Sequence, residues 1–300
     1  VIKLKSTKSE GIMFGYRSDG KKVKNIDPFM KLVPHIMFHR NDAMVMKTEK
    51  LDCSKIDEYI LKKRREEGVK VDYMDVVISA FVRVLSLRPK LNRFIVNGRI
   101  FKRNNIEIAF AIKKKLVDSA EETTLKVAFD GTESIYDVQS KIHDILKENK
   151  GVQKVNIADK LAKLFTKGPN FFIKWTVRFF MWLDKHGMLP KSLLEASPFH
   201  TSVFLVNSRS IKMSPVYHHI YNFGTTGTFV SMGKETYEPV VTNPNKKEFS
   251  VKKIMELGIV IDERICDGLY NSLSLKELNR IMSNPSVLDN KNENVVKDEA

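Results

Sequence analysis

Cysteine is nearly absent from this sequence: Cys53 and Cys266 are the only two among 300 residues. Two thiols cannot build a disulfide framework, and these lie too far apart to form a zinc knuckle, so no metal site and a reducing, cytoplasmic setting are expected. Long apolar runs are missing too. The longest, Phe171 to Leu183, covers 13 residues and contains Lys174 and Arg178, whereas a bilayer-crossing helix needs roughly 20 mostly apolar residues. No charged-then-apolar leader opens the sequence. Neither G-x-x-x-x-G-K-S/T nor a strand-bound G-x-G-x-x-G occurs, which removes the two best-marked phosphate cradles. Acidic residues are in deficit, 36 against 51 Lys and Arg, for a formal charge of +15. Such a surface attracts anions: phosphate-bearing cofactors, acidic lipid surfaces or nucleic acid. No nucleic-acid module matches, however, and the basic run Lys62 to Arg65 is followed at once by Glu66 and Glu67, the pattern of a solvated helix face. A nucleic-acid partner is not expected.

What remains is the composition of a globular chain, 42% hydrophobic and 29% charged. Residues 1–28 read as a polar arm with at most one strand. Strand patterns follow at Leu32 to Phe38 and Ala43 to Lys47. Ser54 is placed to cap a helix reaching Glu66, and Asp72 to cap a second from Tyr73 to Leu87, stopped by Pro89. Arg93 to Val96 and Arg99 to Phe101 flank Asn97-Gly98, a two-residue hairpin turn. Further strands are predicted at Ile106 to Ile112, Leu125 to Phe129, Ser202 to Val206, Gly227 to Met232 and Phe249 to Ile261, and helices at Ser134 to Lys150 and near Asp267 to Met282. Residues 284–300 are rich in Asn, Asp and Lys and read as a disordered tail. Strands and helices mix without β-α-β alternation, so the fold class is α+β: a mixed sheet flanked by helices.

Residues 151–197 read as an aromatic helical hairpin. Ile157 to Phe165 forms a basic amphipathic helix, Gly168-Pro169 a break, and Phe171 to Leu183 a second helix with both tryptophans of the chain. Its apolar perimeter fits burial within the fold or between subunits, a lid over an apolar substrate, or a membrane-surface patch through Phe171, Trp175, Phe179 and Trp182.

The densest polar cluster is Asp262-Glu263-Arg264-Ile265-Cys266-Asp267-Gly268, where a long apolar strand stops and a helix starts. Charges at a strand end often rim a site; the plainer reading is Asp267 as a helix cap with Arg264 as its ion-pair partner. Cys266 has no histidine nearby in sequence and reads as an inert buried thiol. His218-His219 lacks further ligands for zinc. His35 and His39, four apart in a strand, would stand ~13 Å apart.

These segments, in this order, resemble the catalytic domain of the dihydrolipoamide acyltransferases of 2-oxo acid dehydrogenase complexes, which share their fold with chloramphenicol acetyltransferase. The resemblance rests on Val33-Pro34-His35-Ile36, on Val71 to Asn92 ending Arg88-Pro89-Lys90-Leu91-Asn92, on Asn105 to Ala111, and on Asp262 to Gly268, which overlays the signature D-H-R-x-x-D-G. It covers about residues 22–282. It implies a chloramphenicol acetyltransferase-like sandwich over residues 29–283, with 151–197 as an insertion. It also implies an acyl thioester of coenzyme A or lipoamide as substrate, and a homotrimer in which the signature faces a channel shared with a neighbour. The histidine that serves the family as general base is here Glu263. Arg264 and Asp267 are implied to support it, Asn207 or Ser208 to stabilise an oxyanion, and Asp262, Gly268 and His35 to meet substrate. Two readings follow: an acyltransferase with an altered base, or a catalytically inactive relative that binds a ligand or a partner. No lipoyl domain precedes the core, so a free-standing protein is expected, cytoplasmic or peripheral at a membrane.

Overall fold

A computed structural model describes residues 16–113, 122–150 and 168–299. Its strands are β1 (Gly20–Lys22), β2 (Met44–Asp52), β3 (Arg93–Val96), β4 (Arg99–Arg103), β5 (Ile106–Lys113), β6 (Glu122–Phe129), β7 (Val203–Asn207), β8 (Thr228–Asn243) and β9 (Glu248–Asp262). Its helices are α1 (Pro28–Ile36), α2 (Cys53–Glu66), α3 (Tyr73–Leu87), α4 (Ile135–Lys150), α5 (Asn170–Lys185), α6 (Lys191–Ala196) and α7 (Gly268–Ser283).

The strands form a three-stranded sheet, β1-β4-β3, and a six-stranded sheet, β2-β9-β8-β7-β5-β6. In the larger sheet β7 runs parallel to β5 and β8, and the other pairs are antiparallel. Side-chain alternation divides its two faces. Ile108, Phe110, Val203, Leu205, Val230, Met232, Ile259 and Ile261 enter the main core with the apolar face of α3. The residues between them, Ala109, Phe204, Phe229 and Val260, form a second cluster closed by Ile220. The predicted α+β architecture is thus the observed one, a mixed sheet with helices packed on it.

Capping explains where the helices start. Asp72 accepts from the backbone N–H of Met74 and Asp75, and Asp75 accepts in return from Asp72, so α3 begins at the predicted residue. The cap of α2 is Asp52, which accepts from Ser54 N–H, and not Ser54 itself. Asn97 and Gly98 take the positive φ values of 50° and 69° that the hairpin turn requires.

Three expectations need correction. The segment Leu32 to Phe38, read as a strand, lies largely in α1: Asp27 caps Phe29 and Met30, and Pro28 occupies the first turn, a start signal that outweighs the β-branched look of the segment. His35 and His39 are therefore not strand neighbours. The tail is not disordered. A 3-10 turn covers Pro285–Leu288, and buried Asn292 bonds Ser86 Oγ and the Gly131 carbonyl. Asp298 then meets Arg93 through two bonds of 2.6 Å. Its polar side chains complete open hydrogen-bonding groups on the body, which composition cannot reveal. Last, β8 runs well beyond the predicted Gly227 to Met232, on to Asn243, and pairs there with β9, whose predicted span Phe249 to Ile261 holds to within one residue; the two form a ribbon with Tyr237, Val241, Phe249 and Val251 exposed.

The basic helix expected at 157–165 and residues 1–15 of the arm lie outside the described residues. The aromatic helix is present as α5, and most of its rings, Phe171, Phe172, Trp175, Phe179 and Trp182, are exposed. Thr176 and Asp184 are buried, whereas Phe171 and Trp175 are 75% and 63% exposed.

Candidate active site

Strand β9 ends in a fully buried run, Ile259 to Asp262. Asp262 N–H donates to the Gly227 carbonyl at 2.9 Å, and Glu263 N–H to the Ala43 carbonyl at 2.9 Å, which ties the turn to the starts of β8 and β2. The Asp262 carboxylate, 1% exposed, accepts from Arg264 Nε and Nη2 at 2.7 Å each. Arg264 Nη1 reaches across to the Met37 carbonyl at 3.1 Å, just past α1. A second guanidinium, Arg40, stands behind the same carboxylate with its Nε 4.0 Å from Oδ2. Asp267 Oδ1 accepts from Tyr270 N–H at 2.8 Å and so caps α7, which begins at Gly268.

Glu263 sits between these anchored residues and is exposed. Arg264 is engaged by Asp262 and not by Glu263 or Asp267. Among the described residues no side chain forms an ion pair with Glu263, so its carboxylate is presented outward from a rigid turn. Cys266 is buried, and burial together with neighbouring Asp267 pushes its thiol up to about 12, which removes it as a nucleophile near neutral pH.

The other candidates divide by position. His35, on α1, packs over the hairpin turn: a Cβ on Gly98 would fall 2.4 Å from the His35 ring. Asn207 and Ser208 follow the far end of β7. Val203 pairs with Thr228, which pairs with Ile261 beside the turn, whereas Asn207 pairs with Met232, so four residues of strand, about 13 Å, separate them from the Glu263 end. Ser208 Oγ is buried against Ser231 Oγ at 3.0 Å, and Asn207 Oδ1 accepts from Ser210 N–H. One chain therefore does not bring Asn207 or Ser208 to Glu263.

Beside the turn lies an open cleft of about 670 Å³. His35, Phe38 and Arg40 line one side, the β3–β4 hairpin another, and Met181, Trp182 and Lys185 of α5 a third; Arg264 connects it to the turn. Below it Asp184 receives Arg17 Nη1 at 2.7 Å and stands 3.3 Å from His200 Nε2, without hydrogen-bond geometry to the imidazole. Burial opposes the charge on Asp184, but His200 and Arg17 more than offset it and hold the carboxyl below its usual range. Burial lowers His200 below its ordinary value. Arg40 and this Arg17–Asp184–His200 group carried no sequence signal, since their members are scattered along the chain.

No family model and no curated protein sequence matches the chain. Solved structures do. A probable dihydrolipoamide acetyltransferase from Listeria monocytogenes 4b F2365 is 16% identical over 92% of this chain and 99% of its own, with a TM-score of 0.54. The cubic core of the pyruvate dehydrogenase multienzyme complex is 11% identical over 89% of this chain and 94% of its own, TM-score 0.55. Chloramphenicol acetyltransferase is 11% identical over 88% and 99%, TM-score 0.52. The chain has the fold of these acyltransferase cores.

Proposed function

We propose that this chain transfers an acyl group from a coenzyme A-type or lipoyl-type thioester, with Glu263 as the proton acceptor. The observation that carries this reading is the outward carboxylate of Glu263, held between the buried Asp262–Arg264 pair and the Asp267 cap in a fold shared with acyltransferases. In the Azotobacter vinelandii dihydrolipoamide acetyltransferase a serine, a histidine and, four positions on, an asparagine figure in the catalytic mechanism. Glu263 and Asp267 have that same spacing. In the proposed step Glu263 takes the proton of an acceptor thiol, hydroxyl or amine. The acceptor attacks the thioester carbonyl, the C–S bond breaks, and Glu263 returns the proton to the departing thiolate.

Base strength permits this. With ordinary pKa values of ~8.5 for a thiol, ~6.5 for His and ~4.3 for Glu, the carboxylate is the weaker base by ~2 units, roughly 3 kcal/mol. Partial proton transfer in the transition state reduces that to about 10–100-fold in rate. An oxyanion donor from Asn207 requires a second copy of the chain, because one copy separates the two ends of the strand, so a homotrimer with its site between subunits belongs to the reading. The +15 charge favours a phosphate-bearing donor.

The test is thiol release from a panel of acyl-CoAs offered dihydrolipoamide, hydroxyl and amine acceptors. Release should fall at least tenfold in Glu263→Gln and return in Glu263→His. If no pairing yields Glu263-dependent release, the chain is instead an inactive relative that binds a ligand or acts as a scaffold.

A second reading concerns α5. Its exposed Phe171, Trp175, Phe179 and Trp182, interspersed with exposed Lys174 and Arg178, fit the surface of an anionic membrane. Co-sedimentation with vesicles containing phosphatidylserine at low salt should be lost in Phe171→Ser/Trp175→Ser; equal pelleting of both proteins removes this reading.

A further inference from the structure

Arg40, standing behind the Asp262–Arg264 pair, carries a charge that the acyl-transfer step does not use. Arg40 and Arg264 are both buried, at 6% and 3% exposure, and both line the 670 Å³ cleft. They share one carboxylate, Asp262, and Arg264 occupies both of its oxygens at 2.7 Å. Arg40 keeps only the 4.0 Å approach, with Nη1 and Nη2 donating to the backbone carbonyls of Asn222 and Ile95. Its Nε is buried without a hydrogen-bond partner among the described residues.

A buried guanidinium without its own counter-ion is costly unless charge arrives from elsewhere. The cleft adds Lys185 at its rim, and the one acid lining it, Asp184, is bound to Arg17, a guanidinium it shares with Asp19. Phe38, Ile95, Met181 and Trp182 supply an apolar part of the wall, beside the polar His35, His39, Asn97 and Asn222. With Arg264 neutralised by Asp262, an anion entering here meets the positive charge of Arg40 and the ammonium of Lys185, and an alkyl or aryl body behind it meets Trp182.

We infer that this cleft is a binding site for an amphiphilic anion, a carboxylate or phosphate carried on an apolar body, which supplies the counter-charge that Arg40 lacks. The inference does not depend on turnover at Glu263, because it concerns equilibrium binding. It also assigns α5 a role: the aromatic helix supplies one wall of a ligand site.

The chain has two tryptophans, so Trp175→Phe leaves Trp182 as the sole indole reporter in the cleft. That protein is titrated at low salt with octanoate, octyl phosphate and the neutral analogue octanol, following Trp182 emission, with calorimetry for stoichiometry. At least one anion should saturate one site at tenfold or more higher affinity than octanol. Lys185→Gln should weaken the anion several-fold without changing octanol binding, and Arg40→Gln should erase the anion preference. The better of the two anions identifies the head group. Equal affinity for octanol and both anions, no saturation by either anion, or unchanged anion affinity in the Lys185→Gln protein overturns the inference. If Arg40→Gln does not fold, the octanol comparison and Lys185→Gln decide it.

Discussion

Arg264 and Asp262 stand two positions apart and close a two-point ion pair, with both N–O distances at 2.7 Å, inside the protein. The residue between them, Glu263, is the exposed one. Alternation in an extended strand end would put 262 and 264 on one side and 263 on the other, and the turn keeps that division. The buried pair fixes the backbone, and the residue that protrudes is the one proposed as proton acceptor.

Arg264→Met should therefore be strongly destabilising. It leaves Asp262 buried with only the distant Arg40, and breaking a buried pair from one side costs about 3–5 kcal/mol. Urea unfolding gives the number; a loss below about 1 kcal/mol would show that Arg40 moves in as a replacement.

Asp75 makes stability depend on pH. Burial, with Asp72 adding to it, raises its carboxyl to about 6 from an ordinary 3.8. The native state then binds a proton more readily than the unfolded chain, so this group's contribution to stability grows as pH falls from 6 to 4. The gap corresponds to roughly 3 kcal/mol. Asp75→Asn should flatten that part of the curve of melting temperature against pH, and an unchanged slope would show that another group controls it.

Asp298 clasps Arg93 at 2.6 Å through both carboxylate oxygens, and both side chains are nearly buried. Asp298→Asn should cost about 1.5–3 kcal/mol, the range for hydrogen bonds to charged groups. Amide exchange in 289–299 should be slow in the parent and fast in the variant; fast exchange in both contradicts a seated tail.

Gly98 carries a φ of 69° and has the His35 ring where a Cβ would go. Gly98→Ala should cost at least about 1 kcal/mol through backbone strain alone. It should also shift the imidazole resonances of His35 in an NMR spectrum. A variant with the parent's stability and an unmoved His35 would mean that the hairpin tip yields freely.

Much of this molecule is legible in local patterns. The Asp72 capping signal and the apolar face after it mark α3, and Asn97-Gly98 marks the hairpin. The strand at Ile106 and the helix following Asp267 were likewise readable. The segment Leu32 to Phe38 misleads because its β-branched residues and proline look extended, while the deciding signal, Asp27-Pro28, precedes it. The outer part of β8, Gly233 to Asn243, escapes the sequence reading because its residues are mostly exposed or half-buried on both faces, which weakens the period-2 pattern that identifies a strand. In the candidate site the turn from Asp262 to Gly268 was visible, but its internal pairing was not: Asp267 was the expected partner of Arg264, and Asp262 is the actual one.

The sequence alone determined the alternation that builds the sheet, the helical periods laid on it, and a turn of charged residues at the end of its longest apolar strand. These follow from forces acting between residues a few positions apart. Tertiary structure decided which carboxylate meets which guanidinium. It brought Arg40 to Asp262 and Asp298 to Arg93, and left Glu263 outside, because ion pairing depends on distance in space and on burial, and neither is written in the spacing of residues along the chain.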